Sequence, residues 1–253
     1  QPVFRADRKL SFSVRGGIGL SYKTKPHDVE LNPDNQSYST AVAFPLQLGL
    51  TVNYQLNEHW QLDLHTVYNH ISNGGLKQPN KGINWPTAGI GLTRYFRPVK
   101  FPEREKIDWR LENAPRNRTD FNAFFTYHEP DDGYVLISGG LEVKRARRIG
   151  RLSNITLGAE WMYDTYRTKV EENAESIDGN HFGFALGHEF ILGRFLFSQQ
   201  FGVYVLKPET RPEDVYQRYG LAYRITNNWS FGFALKAHGH VADFADLRLG
   251  YSF

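Results

Sequence analysis

Residues 70–84, HISNGGLKQPNKGIN, hold the side chains of this chain best suited to covalent chemistry. His70 and Ser72 stand two apart at the end of an alternating run. A serine hydroxyl is a weak nucleophile and needs a base beside it. On a strand, residues i and i+2 point the same way, about 6.5–7 Å apart. An imidazole spans that gap to a hydroxyl. The ring then needs a third group to hold its tautomer, and a tetrahedral oxyanion needs hydrogen-bond donors. Asn84 opens the next alternating run and falls near His70 if the hairpin closes in register. The loop GGLKQPNKG offers glycines for close backbone approach and the Asn80 amide. A His and a Ser resting at headgroup level, with no chemistry, is the competing reading of the same pair.

These residues sit on an element of period two. Trp60, Leu62, Leu64, Thr66, Tyr68, His70 and Ser72 share one parity; His59, Gln61, Asp63, His65, Val67, Asn69 and Ile71 share the other. The first set is apolar until its last two members, and the second is mostly polar. In a membrane barrel the apolar parity faces lipid and the polar one faces the interior. His70 and Ser72 are therefore expected on the outer face at the rim, with Asn84 on the same face through the parity of Pro86, Ala88, Ile90 and Leu92. A nucleophile and base placed there suit a hydrolase working on the membrane around it.

The same alternation runs through most of the chain. Leu10, Phe12, Val14, Gly16, Ile18, Leu20 and Tyr22 alternate with small or polar residues, as do Ala245, Leu247, Leu249, Tyr251 and Phe253. The pattern predicts an all-β fold, a transmembrane antiparallel β-barrel of about 12 strands. The strands fall near 10–23, 38–55, 59–73, 84–97, 119–129, 133–146, 151–167, 179–192, 194–207, 213–225, 229–238 and 243–253. Residues 1–253 are taken as a single outer-membrane barrel domain. Most strands are long enough to cross a bilayer when tilted. The connections at 56–58, 147–150, 193 and 226–228 are short, as periplasmic turns are, while 24–37, 74–83, 168–178 and 208–212 are mostly longer and more polar. The charged, proline-containing stretch 98–118 fits poorly and is read as an excursion, a short helix over 103–114, or a missed strand pair. A soluble β-sandwich would also alternate; the long strands and aromatic terminus favour the barrel.

Composition removes other classes. The chain has no Cys, which excludes disulfides and thiolate metal sites. Its mean hydropathy is −0.51, and no run approaches the roughly 18–20 apolar residues of a membrane helix. A net charge of +3 is too small to argue for a nucleic-acid partner. No signal segment opens the sequence, so export would make Gln1 a mature end left by cleavage.

HISNGGLKQPNKGIN resembles the signature of the outer-membrane lipid A 3-O-deacylases (PagL-like), approximately H-x-S-N-[AG]-G-x-x-x-P-N-x-G. The match covers His70, Ser72, Asn73, Gly74 or Gly75, Pro79, Asn80 and Gly82. The resemblance implies a serine esterase of the Gram-negative outer membrane, acting in the outer leaflet on the ester-linked 3-O acyl chain of lipid A in lipopolysaccharide. It implies Ser72 as nucleophile, His70 as base, Asn80 as oxyanion donor with Gly75 and Asn73 supporting the loop, and no metal or other cofactor. The family's acid, usually Glu, falls at Asn84, which can orient the ring without offering a charge. The family core is an eight-stranded barrel with this motif near its C-terminus, whereas here the motif lies on the third and fourth of about 12 predicted strands.

Lys77 and Lys81 flank the motif and suit lipid A phosphates by charge; solubility explains them equally well. His238, His240 and Asp243 gather in the last long-side turn, where a polar turn is a plainer reading than a metal site or a substitute acid; Glu171, Glu172 and Glu175 share one loop, where a solvated loop is plainer than a divalent cation bridging lipopolysaccharide phosphates. Against the esterase stand a non-catalytic barrel that binds lipopolysaccharide, a narrow pore, and a phospholipase.

Overall fold

The computed structural model describes residues 9–97, 116–128, 136–165, 179–208, 211–239 and 241–253. Every expected strand is present within a few residues of its predicted bounds. In chain order these are β1 (Leu10–Ile18), β2 (Ser21–Tyr22), β3 (Val42–Gln55), β4 (Trp60–Ser72), β5 (Ile83–Arg94), β6 (Asn117–His128), β7 (Leu136–Gly150), β8 (Ser153–Tyr163), β9 (Asn180–Leu192), β10 (Phe195–Leu206), β11 (Val215–Arg224), β12 (Trp229–His238) and β13 (Val241–Ser252). The expected first strand breaks at Gly19–Leu20 into β1 and β2. The stretch 103–114 and the acidic loop at Glu171, Glu172 and Glu175 lie outside the described residues, as does His240.

The strand count of the barrel requires a correction. The closed barrel has eight strands, β6 to β13, not about 12. It closes where β13 pairs antiparallel with β6, from Leu247 opposite Phe125 to Ser252 opposite Asp120. β1, β3, β4 and β5 form a separate antiparallel sheet in that order, with β2 on β3. Period two identifies strands and their faces, but it carries no information about which strand meets which at closure. The chain divides accordingly into two compact units, one holding β1–β5 and the other β6–β13; residues 74–78 group with the second.

In the β1–β5 unit the two faces separate as the alternation predicts. Leu48, Leu50, Leu64, Ile90 and Leu92 are all more than half exposed on one face. The opposite face is a polar lattice: Gln47 Nε2 donates to Asn69 Oδ1 at 2.9 Å, Thr93 Oγ1 to Asp63 Oδ2 at 2.9 Å, and Tyr95 OH to Gln61 Oε1 at 2.9 Å.

The barrel repeats this on a closed surface. Phe125, Leu141, Leu157, Leu186, Phe201 and Leu249 project outward and are exposed, as a lipid-facing wall requires. Its lumen is filled. Asp120, Glu142, Glu160, Glu189 and Asp246 face Arg118, Lys144, Arg218, Lys236 and Arg248. Arg118 bridges Glu189 at 2.8 Å, Arg248 bridges Glu142 at 2.7 Å and Asp246 at 2.6 Å, and Lys236 reaches Glu160 at 3.0 Å. Arg218 pairs with both Glu160 and Asp246, and its guanidinium lies 5.1 Å from the centre of the Phe124 ring. Phe124, Met162 and Phe244 form a small apolar cluster beside these charges. A cavity of about 40 Å³ lined by Asn122, Glu142, Lys144 and Ser198 has room for about one water.

Charges buried in matched sets are costly to unmatch. Arg218→Met leaves Glu160 and Asp246 short of a buried partner, and is expected to destabilise the barrel by about 3–5 kcal/mol. Denaturant unfolding in detergent micelles, followed by tryptophan fluorescence, measures the difference.

Candidate active site

β4 and β5 build the site because their register places the two key positions opposite each other: His70 pairs with Asn84 across the hairpin. Both side chains lie on the parity of Leu62, Leu64 and Leu92, so no twist is needed to bring them together. His70 Nδ1 lies 2.7 Å from Asn84 Oδ1. Its Nε2 lies 2.9 Å from Ser72 Oγ. An amide oxygen only accepts, so Asn84 fixes the proton on Nδ1 and leaves the Nε2 lone pair facing the hydroxyl. That is the tautomer a general base needs.

The pair is roofed. Leu64 and Tyr68, lower on the same face, are each 53% exposed, whereas Ser72 is 9% exposed. Gly82 of the motif loop lies against both His70 and Ser72. Gly74, Gly75 and Gly82 have positive φ of 69°, 83° and 70°, a region that side-chain-bearing residues enter at a cost. At Gly82 a Cβ would stand 2.9 Å from His70 Cε1 and 3.1 Å from the Ile71 carbonyl oxygen. The loop can press on the imidazole only because residue 82 has no side chain. Gly82→Ala is expected to lower kcat by about ten- to a hundredfold through displacement of His70, with expression and heat-modifiable mobility unchanged; steady-state kinetics check it.

Asn73 and Asn80 organise the loop. The backbone N–H of Asn73 donates to Asn80 Oδ1 at 2.9 Å, and the Asn73 side-chain amide donates to Ser39 Oγ at 3.2 Å. Asn73 is fully buried. Lys81 is exposed and Lys77 half-buried. Gly75 and Lys77 belong to 74–78, the segment that groups with the barrel unit; the His70, Ser72, Asn73, Asn80 and Asn84 geometry lies within the sheet unit.

Sequence reasoning missed the contribution of residues 36–39. Gln36 and Ser37 accept hydrogen bonds through their carbonyls from Lys81 N–H at 3.0 Å and Gly82 N–H at 2.9 Å. The signal was the turn-forming string Asn32-Pro33-Asp34-Asn35 on a long loop at the motif end of the sheet; nothing in it pointed to a particular partner.

His238 and Asp243, the described members of the second cluster, meet around an arginine at the turn between β12 and β13. Asp243 shares the parity of outward Leu247 and Leu249, yet its carboxylate accepts from Arg211 Nη2 at 3.1 Å. The ladder between β12 and β13 shifts register at Lys236/Ala237, so parity counted along β13 does not carry past it. Arg211, absent from the sequence reading, is 2% exposed and also donates to His238 Nε2 at 2.7 Å and His181 Nε2 at 3.1 Å. A guanidinium occupies the centre of this cluster. Among the described residues no three His, Asp or Glu side chains are grouped to hold a metal.

Comparison with known proteins follows the division of the chain. Residues 3–93 match the family described as lipid A 3-O-deacylase (PagL). Residues 117–253 match the family described as acyloxyacyl hydrolase, C-terminal domain (PagL_C). A search among curated proteins finds no match. Among solved structures, an engineered Rh. blastica porin is 11% identical, covering 96% of this chain and 100% of its own, with a TM-score of 0.25. The NanC porin is 11% identical over 83% of this chain and 93% of its own, with a TM-score of 0.27. The outer-membrane channel DcaP of Acinetobacter baumannii is 9% identical over the whole of both chains, with a TM-score of 0.24. Likeness at these levels carries no argument about this chain. The family matches do: one takes in the whole 70–84 motif and the other alone spans more than half of the sequence, so the chain belongs to the PagL family of outer-membrane lipid A deacylases, which are ester hydrolases.

Proposed function

We propose that this protein removes the ester-linked 3-O acyl chain of lipid A with Ser72 as nucleophile, from a site facing the outer leaflet. The observation that carries the reading is the continuous line from Asn84 Oδ1 through the His70 ring to Ser72 Oγ, with both contacts under 3 Å. Ser72 Oγ attacks the acyl carbonyl and its proton passes to His70 Nε2. The Asn80 amide and loop N–H groups stabilise the oxyanion. Collapse breaks the carbonyl carbon–sugar oxygen bond, and His70 returns the proton to the sugar hydroxyl as it leaves. Water then attacks the acyl-serine, giving its proton to His70 and then to Ser72 Oγ, so one ester and one water become one alcohol and one fatty acid. The outward face lets the acyl chain stay in lipid while its ester meets the pair. Lys77 and Lys81 meet the lipid A phosphates by charge.

Mass spectrometry of lipid A from cells producing the protein tests this. The expected result is loss of one 3-hydroxyacyl chain with phospholipids intact. Chain loss from phospholipid instead would make it a phospholipase. Unchanged lipid A with folded protein in the membrane would favour a non-catalytic lipopolysaccharide-binding barrel, the reading on whose side the uncharged Asn84 stands. The charge-filled lumen speaks against a pore.

A further inference from the structure

We propose that Ser39 is a positioning residue for the oxyanion side of this site; the inference rests on the reading of Ser72 and Asn80 given above. Residues 23–41 join β2 to β3 and form a loop tied to itself. Lys23 N–H donates to the Ala41 carbonyl at 2.6 Å and His27 N–H to the Tyr38 carbonyl at 2.9 Å. Asn35 Nδ2 donates to the Lys25 carbonyl at 3.0 Å, and Ser37 N–H donates to Asn35 Oδ1 at 3.0 Å. Asp28 Oδ1 accepts from Leu31 and Glu30 N–H at 2.8 and 2.9 Å. Those two backbone donors, Leu31 first, hold its carboxyl below the usual carboxylate range. A loop fixed in this way can act as a rigid support.

It supports the motif loop at both ends. The Gln36 and Ser37 carbonyls hold the N–H groups of Lys81 and Gly82. Two residues on, Ser39 Oγ holds the Asn73 side-chain amide. Asn80 lies between these two anchors. Its Oδ1 is engaged by Asn73 N–H, which turns the opposite, donating end of the amide away from residue 73. That donating end is the one an oxyanion requires. Ser39 is 7% exposed and Asn73 fully buried, so bulk water is poorly placed to replace the hydroxyl. The order of support is Ser39 to Asn73, Asn73 to Asn80, and Asn80 to the reacting carbonyl.

The test compares wild type, Ser39→Ala and Ser39→Thr in the full chain, purified in detergent with lipid A as substrate. Ser39→Ala is expected to lower kcat about tenfold with KM within twofold of wild type, and Ser39→Thr, which keeps the hydroxyl, to restore it. Amide hydrogen exchange supplies a readout independent of turnover: residues 73 and 80–82 are expected to exchange faster in Ser39→Ala, with β3–β5 protected as in wild type. An Ala variant with wild-type kcat overturns the proposal. So does loss of protection throughout β3–β5, which marks a folding role. Should wild type deacylate nothing, the functional reading falls, and the exchange rates alone decide the positioning role: unchanged rates at 73 and 80–82 overturn it.

Discussion

Ser72→Ala is expected to lower deacylation by about 10⁴-fold or more, leaving lipid A at full mass in cells that carry well-folded variant. The argument is one of bond making. The Oγ of Ser72 stands 2.9 Å from His70 Nε2, so its removal leaves the imidazole with water to activate and no covalent intermediate to divide the barrier. Residual turnover above the uncatalysed rate would come from the oxyanion donors and from binding. The protein should fold unchanged, because Ser72 carries one methylene and one hydroxyl at the end of β4 and the β3 and β5 ladders are backbone-held. Retention of more than a few per cent of wild-type kcat would remove Ser72 from the nucleophile's role.

Asn84→Glu is expected to raise kcat about ten- to a hundredfold. Asn84 already holds the useful tautomer, through its 2.7 Å contact with Nδ1. What it lacks is charge. When His70 accepts the serine proton it becomes a cation, and a neutral amide oxygen offers only a dipole to that cation. A glutamate carboxylate, one methylene further from the backbone, that reaches Nδ1 offers that cation a full negative charge in place of a dipole. The gain belongs in kcat, since the cation exists only after proton transfer has begun. Asn84 is exposed, so the added charge costs little desolvation in the resting protein. A kcat equal to or below wild type would show that orientation, not charge, limits this enzyme.

Much of this was legible in the residues. Parity placed Leu64, Tyr68, His70 and Ser72 on one face, and hairpin register placed Asn84 opposite His70, because side-chain direction on a strand is set by backbone geometry alone. The lumen was legible in kind: alternate residues such as Glu142, Glu160, Lys236 and Arg248 are polar where their neighbours are apolar. Closure was not, since the pairing of β13 with β6 is decided by long-range competition between edges that look alike locally. Nor was Arg211, which sits in a loop without period and acquires meaning only from the carboxylate and imidazoles around it. Ser39 was invisible for the same reason: its partner is Asn73, far along the chain, and a lone serine in a polar loop has no pattern.

The seam between β6 and β13 has a consequence in time. Seven of the barrel's eight strand pairings join neighbours in the chain, and such hairpins need only short loops to close. The eighth joins Asp120 to Ser252, and Phe253 is fastened there twice, Thr119 N–H to the Phe253 carbonyl at 3.2 Å and Phe253 N–H to the Thr119 carbonyl at 2.9 Å. Until β13 has been made, β6 presents a bare edge. That exposed template invites mispairing with other chains. Assembly of this barrel therefore leaves β6 unpaired on one side until the last strand is in place, and over that interval β6 must be kept from any strand but its own.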